Sequence, residues 1–418
     1  MDQNWVQLAN TIDGDFSNDN FGFSVSLSQN GNIVAIGAPN YNGNGNDIGE
    51  VKVFTLSSGN WVQLGNNLYG SEDNCFFGAS ISLSSDGSTL AIGEPGFNLS
   101  NNDSGQVKVF KLISGSWSQI GNNIDGDVNA VFFGNYVKLS NDGNTIAISD
   151  FNFESVPSKI GKIKVYSLNT NIWTEKGTPI TNLLGDDNLQ HSISLNDTGD
   201  IMAIGIPAND EIGLDSGKVK VYNFVLDDWV QLGNDINGNN VGDYFGFELN
   251  LSSSGDVLAI GSPNYNSSGK VDLYKFVDNN WSQLGNIMNV ANENDLFGIS
   301  ISLSNNNILV VGAINNDSNG LDSGQVNIYD VNTFLSIETK EQNSFKIYPN
   351  PVSNFLRIQS TENLFFEMVN IYDMTGKLIK PLKNIELKTI DVSNLEKGLY
   401  LLELILTNSN FREKFIVK

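Results

Sequence analysis

The chain has 418 residues, 40% of them hydrophobic, with 41 glycines and only 17% charged residues, a composition too apolar for disorder and suited to a turn-rich globular protein of about two domains. Its net charge of −24 disfavours nucleic acid and anionic lipid as partners, and no run of 18 apolar residues is present to span a membrane. Residues 1–335 hold 12 basic and 37 acidic residues and no arginine, because Arg357 and Arg412 both lie beyond them, and the single Cys75 excludes an intrachain disulfide.

The N-terminus, Met1-Asp2-Gln3-Asn4-Trp5, has neither a basic nor an apolar leader region. From Trp5 onward a repeat sets the chain's rhythm. Tryptophans fall at Trp5, Trp61, Trp117, Trp173, Trp229 and Trp281, at spacings of 56, 56, 56, 56 and 52. A Phe-Gly marker keeps the same phase at Phe21, Phe77, Phe133, Phe245 and Phe297, and the fourth copy carries Leu189-Gln190 in that slot. Two markers in phase identify a repeat architecture.

Each copy predicts four strands. The first alternates after Phe-Gly, as in Phe23 to Ser28, and ends in a tight turn such as Gln29-Asn30-Gly31 or Ser85-Asp86-Gly87. The second, Ile33-Val34-Ala35-Ile36-Gly37, is apolar throughout, as for a strand buried on both faces. A longer polar loop precedes the third, Val51-Lys52-Val53-Phe54, and a short turn leads to the fourth, Trp61-Val62-Gln63-Leu64. Four antiparallel strands in about 50 residues is the arithmetic of a propeller blade. The last copy stops after Val326-Asn327-Ile328-Tyr329, and the lone fourth strand at Trp5 is placed to complete it. The expectation is therefore an all-β, six-bladed β-propeller over residues 1–335, closed by an N-terminal strand that removes an exposed sheet edge.

Phe21-Gly22 to Leu27, Ala35-Ile36-Gly37-Ala38-Pro39 and Gly49-Glu50-Val51-Lys52-Val53-Phe54 together resemble the FG-GAP repeats of integrin-α-type propellers, over roughly residues 3–331. Two departures stand out. The turn between the first two strands is too short to wrap a calcium ion, which that family often binds there. Integrin-type rings have seven blades, whereas this chain supplies six.

Past Val331 the repeat ends, and a polar linker, residues 336–344, leads to a module over residues 345–418 that reads as a small immunoglobulin-like β-sandwich. Its Tyr348-Pro349-Asn350-Pro351, Tyr372-Asp373 with Gly376-Lys377, Leu395 with Gly398 and Tyr400, and the basic terminal strand resemble the type A sorting domain of the type IX secretion system of Bacteroidota. The resemblance implies contact with that machinery through residues 345–418. It also implies Sec export, a precursor with a signal peptide that this sequence does not show, and a secreted or outer-membrane-surface location.

Chemistry-bearing motifs are sparse. His191 stands alone where the fourth copy lost Phe-Gly, with no nucleophile or carboxylate motif to partner it, and a structural role is expected. Ser84 to Thr89 faintly resembles a sialidase Asp-box, but a site for a sugar carboxylate built on arginine forks cannot exist without arginine, so the segment is expected to be a hairpin turn. No enzyme activity is expected. The alternatives to a binding protein are a carbohydrate-active hydrolase or lyase with an unlocated acid pair, and a structural surface-layer component.

Binding is expected on the face of the longer, more variable loops, residues 40–48, 96–104 and 208–216 with 13–20 and 234–243. An aromatic recurs there at Tyr41, Phe97, Phe153 and Tyr265, suited either to stacking on a glycan or to packing on the neighbouring blade. The expected ligand is an extracellular glycan or protein. No cofactor is required. Calcium is a weak candidate at Asp317 and Asp322, where a turn capped by the Asp side chains competes as a reading.

Overall fold

The computed structural model describes residues 7–43, 45–98, 104–127, 132–152, 160–184, 192–284, 288–289, 294–318, 320–332, 346–359, 366–373, 377–385, 389–406 and 409–418. Two compact units divide at Leu335 and Ser336. The expected closing strand at Trp5 and the linker 336–344 lie outside the described residues.

The first unit is an all-β propeller of antiparallel sheets. The first sheet runs in order through Ser24–Leu27, Ile33–Ala38, Glu50–Ser57 and Asn60–Gln63, and a two-residue strand, Leu68–Tyr69, also pairs with Glu50–Ser57. The next four sheets repeat this plan with a fifth short strand each, one more than the repeat predicts. The sixth has three described strands, Ser300–Leu303, Ile308–Ala313 and Gln325–Asp330.

The two sequence markers are packing devices. Phe77, Phe133, Phe245 and Phe297 are among the largest fully buried side chains. The glycine after each sits at positive φ, +88° at Gly78, where a Cβ would also meet Val51 at 2.7 Å. The indole N–H of Trp117, Trp173, Trp229 and Trp281 donates to a carbonyl of the preceding sheet: Leu64, Ile120, Lys176 and Leu232, at 2.8 to 3.3 Å. Apolar residues of adjacent sheets thereby form five successive core clusters, one at each junction from first and second to fifth and sixth.

The junction of the sixth sheet with the first lacks this packing among the described residues. Val25 and Leu27 are 57% and 56% exposed, although their counterparts Val137 and Leu139 are buried. On the facing side, Val326 is 65% exposed while its counterpart Val107 is fully buried. Asn10 nevertheless accepts the Trp61 amide at 2.8 Å, as Asn66 does for Trp117, so residues 7–16 continue the repeat frame beside the first sheet.

The second unit has sheets of three and four strands, the first containing Phe355–Gln359 and the second Phe366–Asp373 and Gly398–Leu406. Leu356, Ile358 and Ile390 of one meet Val369, Leu402, Leu404 and Phe415 of the other in a single core, the packing of a sandwich.

Candidate functional site

The aromatics expected on the loop face have different surroundings. Tyr41 is buried, with its ring 5.9 Å from Phe16 and 5.6 Å from Tyr69. Phe97 packs, partly buried, against the core between the first two sheets. Tyr265 is half-buried, with the Lys270 ammonium 4.2 Å from its ring centroid. Phe153 and His191 lie outside the described residues.

Asp317 accepts the amide of Asp322 at 2.7 Å, and Asp322 sits at positive φ. Asp210 does the same for Asp215, and Asn42 for Asp47. Three loops thus share one turn, in which the side chain five residues upstream caps the amide of a positive-φ Asp. Among the described residues no group of three His, Cys, Asp or Glu side chains is arranged to hold a metal. The Asp-box-like segment is likewise a hairpin: Asp86 accepts from the Ser84 hydroxyl and the Ser88 amide, and Ser84 accepts the Thr89 amide.

Two further features lie outside the recurring motifs. The first is on the loop face of the first sheet, where Phe16 (63% exposed) and Tyr69 (38%) flank buried Tyr41. A polar rim surrounds this platform. Asn20 bonds Asn40 at 2.7 Å, Asn40 bonds Asp47 at 3.1 Å, and Asn67 donates to Tyr69 Oη at 3.1 Å. In the other copies the places of Phe16 and Tyr69 hold no aromatic: Glu72, Val128, Leu184, Asn240 and Asn292, and Asp13, Asp125, Thr181, Asn237 and Asn289. The recurring slot serves packing at Tyr41 and Phe97, whereas each of these two rings stands in a single copy.

The second feature lies along the first strands, beside the axis the sheets share. Three residues after the Phe of Phe-Gly, four copies have serine, Ser24, Ser80, Ser192 and Ser300, but the third has Tyr136 and the fifth Glu248. Two residues further on stand Ser26, Ser82, Ser194, Asn250 and Ser302, and in the third copy Lys138. Tyr136 Oη donates to Glu248 Oε1 at 3.4 Å, joining the third sheet to the fifth. Burial pushes the Glu248 carboxyl up to about 7, against the pull of Lys138 and the Tyr136 hydrogen bond. Burial, helped by Glu248, raises the Tyr136 phenol well above its usual value, and burial lowers the Lys138 ammonium.

Local packing explains the exchange. In four other copies the second strand has a glycine whose added Cβ would meet a carbonyl of the next sheet, as Gly93 would meet Gly134 O at 2.0 Å. The third copy has Ser149 there, and Ser149 Oγ accepts the Tyr136 amide at 3.0 Å. The signal that finds all five residues is departure from the repeat frame rather than recurrence within it.

Each unit contains residues that match a known family. Residues 5–54 and 281–329 match the FG-GAP repeat family, and residues 346–418 match the secretion system C-terminal sorting domain family. No curated protein matches the chain. Solved structures similar to it include TolB from Acinetobacter baumannii, at 11% identity and TM-score 0.37, covering 65% of this chain and 54% of that one. A putative 6-phosphogluconolactonase from Bacteroides uniformis is 14% identical, at TM-score 0.46, covering 86% and 100%. The β-propeller domain of the Trilobed protease from Pyrococcus furiosus, which has an open velcro topology, is 10% identical, at TM-score 0.44, covering 93% and 96%.

Proposed function

We propose, for a chain that joins FG-GAP repeats to a type IX secretion sorting domain, that the propeller is an extracellular binding module whose loop face holds a glycan. The sorting domain makes the chain a secreted, surface-attached protein that engages the secretion machinery through its C-terminal unit. The observation that carries the ligand reading is the Phe16–Tyr41–Tyr69 platform, an exposed aromatic surface rimmed by asparagine amides and carboxylates. Aromatic faces stack on the apolar faces of sugar rings, and amides and carboxylates match their hydroxyls.

Binding rather than catalysis is the reading that the channel chemistry favours. Glycosidic hydrolysis needs two facing carboxyl groups, one acid and one base or nucleophile. Glu248 instead faces a tyrosine and a lysine. The test is a glycan-array screen of the full chain beside Phe16→Ala and Tyr69→Ala. Retained glycans that both variants lose support the reading. A wild type that retains none, or variants that bind as it does, would overturn it and leave a protein ligand or a structural role.

A further inference from the structure

The axial cavity, about 380 Å³, is lined by the first strands of all six sheets and by the turns that follow them. Its volume lies in the range of small-molecule sites. Lys138 and Asp197 are its only charged lining residues. Asp197 stands at the turn end, where it accepts from the Asn141 amide group.

The remaining polar lining is rich in unspent donors. Ser26, Ser82 and Ser194 each accept an amide of the next sheet, from Leu83, Leu139 and Leu251 at 2.9 to 3.0 Å. One lone pair of each oxygen is thereby taken, while their hydroxyl hydrogens bond nothing among the described residues and remain free to donate. Asn250 Oδ1 likewise accepts the Leu303 amide at 3.1 Å, which leaves its amino group to donate. Lys138, in the frame position of these residues, makes no hydrogen bond or ion pair among the described residues. Glu248 acts on it only at longer range. A cation without a contact partner, ringed by hydroxyl and amide donors in one cavity, is a receptor for an anion that also carries acceptors.

We propose that the axial channel binds a small hydroxylated carboxylate the size of a hexuronate, with the carboxylate on Lys138 and the sugar oxygens on Ser26, Ser82, Ser194 and Asn250. One ammonium matches one negative charge, and the net charge of −25 over residues 1–335 penalises a dianion more than a monoanion. The site opens among the short turns after the first strands, away from the aromatic platform, and does not rest on the loop-face reading.

The test is calorimetric titration of the full chain at pH 6 with D-glucuronate, D-glucose and inorganic phosphate as probes. Lys138→Ser restores the residue of most other copies, and Lys138→Gln keeps the length without the charge. Saturable glucuronate binding is expected, weakened about tenfold or more in both variants, since a charge-assisted bond is lost. Glucose, lacking the carboxylate, should bind about tenfold more weakly. Phe16→Ala should bind glucuronate as the wild type does, which separates this site from the platform. Absence of glucuronate binding, equal affinity for glucose, tighter phosphate binding, or folded Lys138 variants that bind undiminished would each overturn the proposal.

Discussion

Replacing Glu248 by glutamine should stabilise the propeller at alkaline pH and leave it unchanged in acid. The folded carboxyl titrates near 7, against an ordinary value of 4.5. Between those values the folded state holds a proton that the unfolded state releases, so wild-type stability falls as pH rises through that window. Each pH unit is worth about 1.4 kcal/mol, which sets a ceiling of about 3 kcal/mol; water in the channel reduces this to about 1–3 kcal/mol. Glutamine keeps an oxygen for the Tyr136 hydroxyl and removes the buried charge, so the benefit should vanish below pH 4.5, grow through the window and be full above pH 7. Urea unfolding followed by tryptophan fluorescence reads the propeller alone, because the last tryptophan is Trp281. A stability difference that is constant from pH 4 to pH 8, or a variant less stable than wild type at pH 8, would refute the channel electrostatics.

Three further outcomes are expected. Trp117→Phe loses the 2.9 Å bond to Leu64 and leaves its carbonyl unpaired at a sheet junction, lowering stability by about 1–3 kcal/mol in the same fluorescence assay. Gly93→Ala drives a methyl to 2.0 Å from the Gly134 carbonyl oxygen, where only a backbone shift can relieve it; a loss of about 2–4 kcal/mol is expected, and a neutral result would contradict the close approach of the second and third sheets. Phe415→Ala opens a cavity in the second unit's core at a cost of about 3–5 kcal/mol, seen as early loss of that unit in limited proteolysis, while the tryptophan transition stays where it was.

Much of the fold was legible because the repeat writes its packing rules six times. Phe-Gly and tryptophan recur since each sheet junction needs a buried ring, a glycine at positive φ and an indole N–H aimed at the neighbour's carbonyl. The two-residue strands were not legible: Leu68–Tyr69 pairs only with Glu50 and Val51, and two residues are too few to show a period. Ring closure rests on strand arithmetic, yet Val25, Leu27 and Val326 stay exposed where their counterparts pack against a neighbouring sheet, and the strand expected to complete the sixth sheet lies outside the described residues. Recurrence also drew attention to Tyr41, which the structure buries, and away from Phe16 and Tyr69, which it leaves accessible.

That contrast has a physical basis. A side chain repeated in every copy meets a demand every copy makes, which is packing against the next sheet. Ser24, Ser80 and Ser192 show the demand: each donates to a glycine carbonyl of the next sheet at 2.7 to 2.8 Å. A copy that abandons the serine forfeits that bond and must satisfy its surroundings otherwise. The third copy does so with Ser149, which accepts the Tyr136 amide, and with a phenol that reaches across to the fifth sheet. The cost remaining is a buried carboxyl that resists ionisation and a lysine with no contact partner among the described residues. The packing around Ser149 accounts for Tyr136, and a carboxylate bound in the proposed channel site would give Lys138 the contact partner it lacks among the described residues.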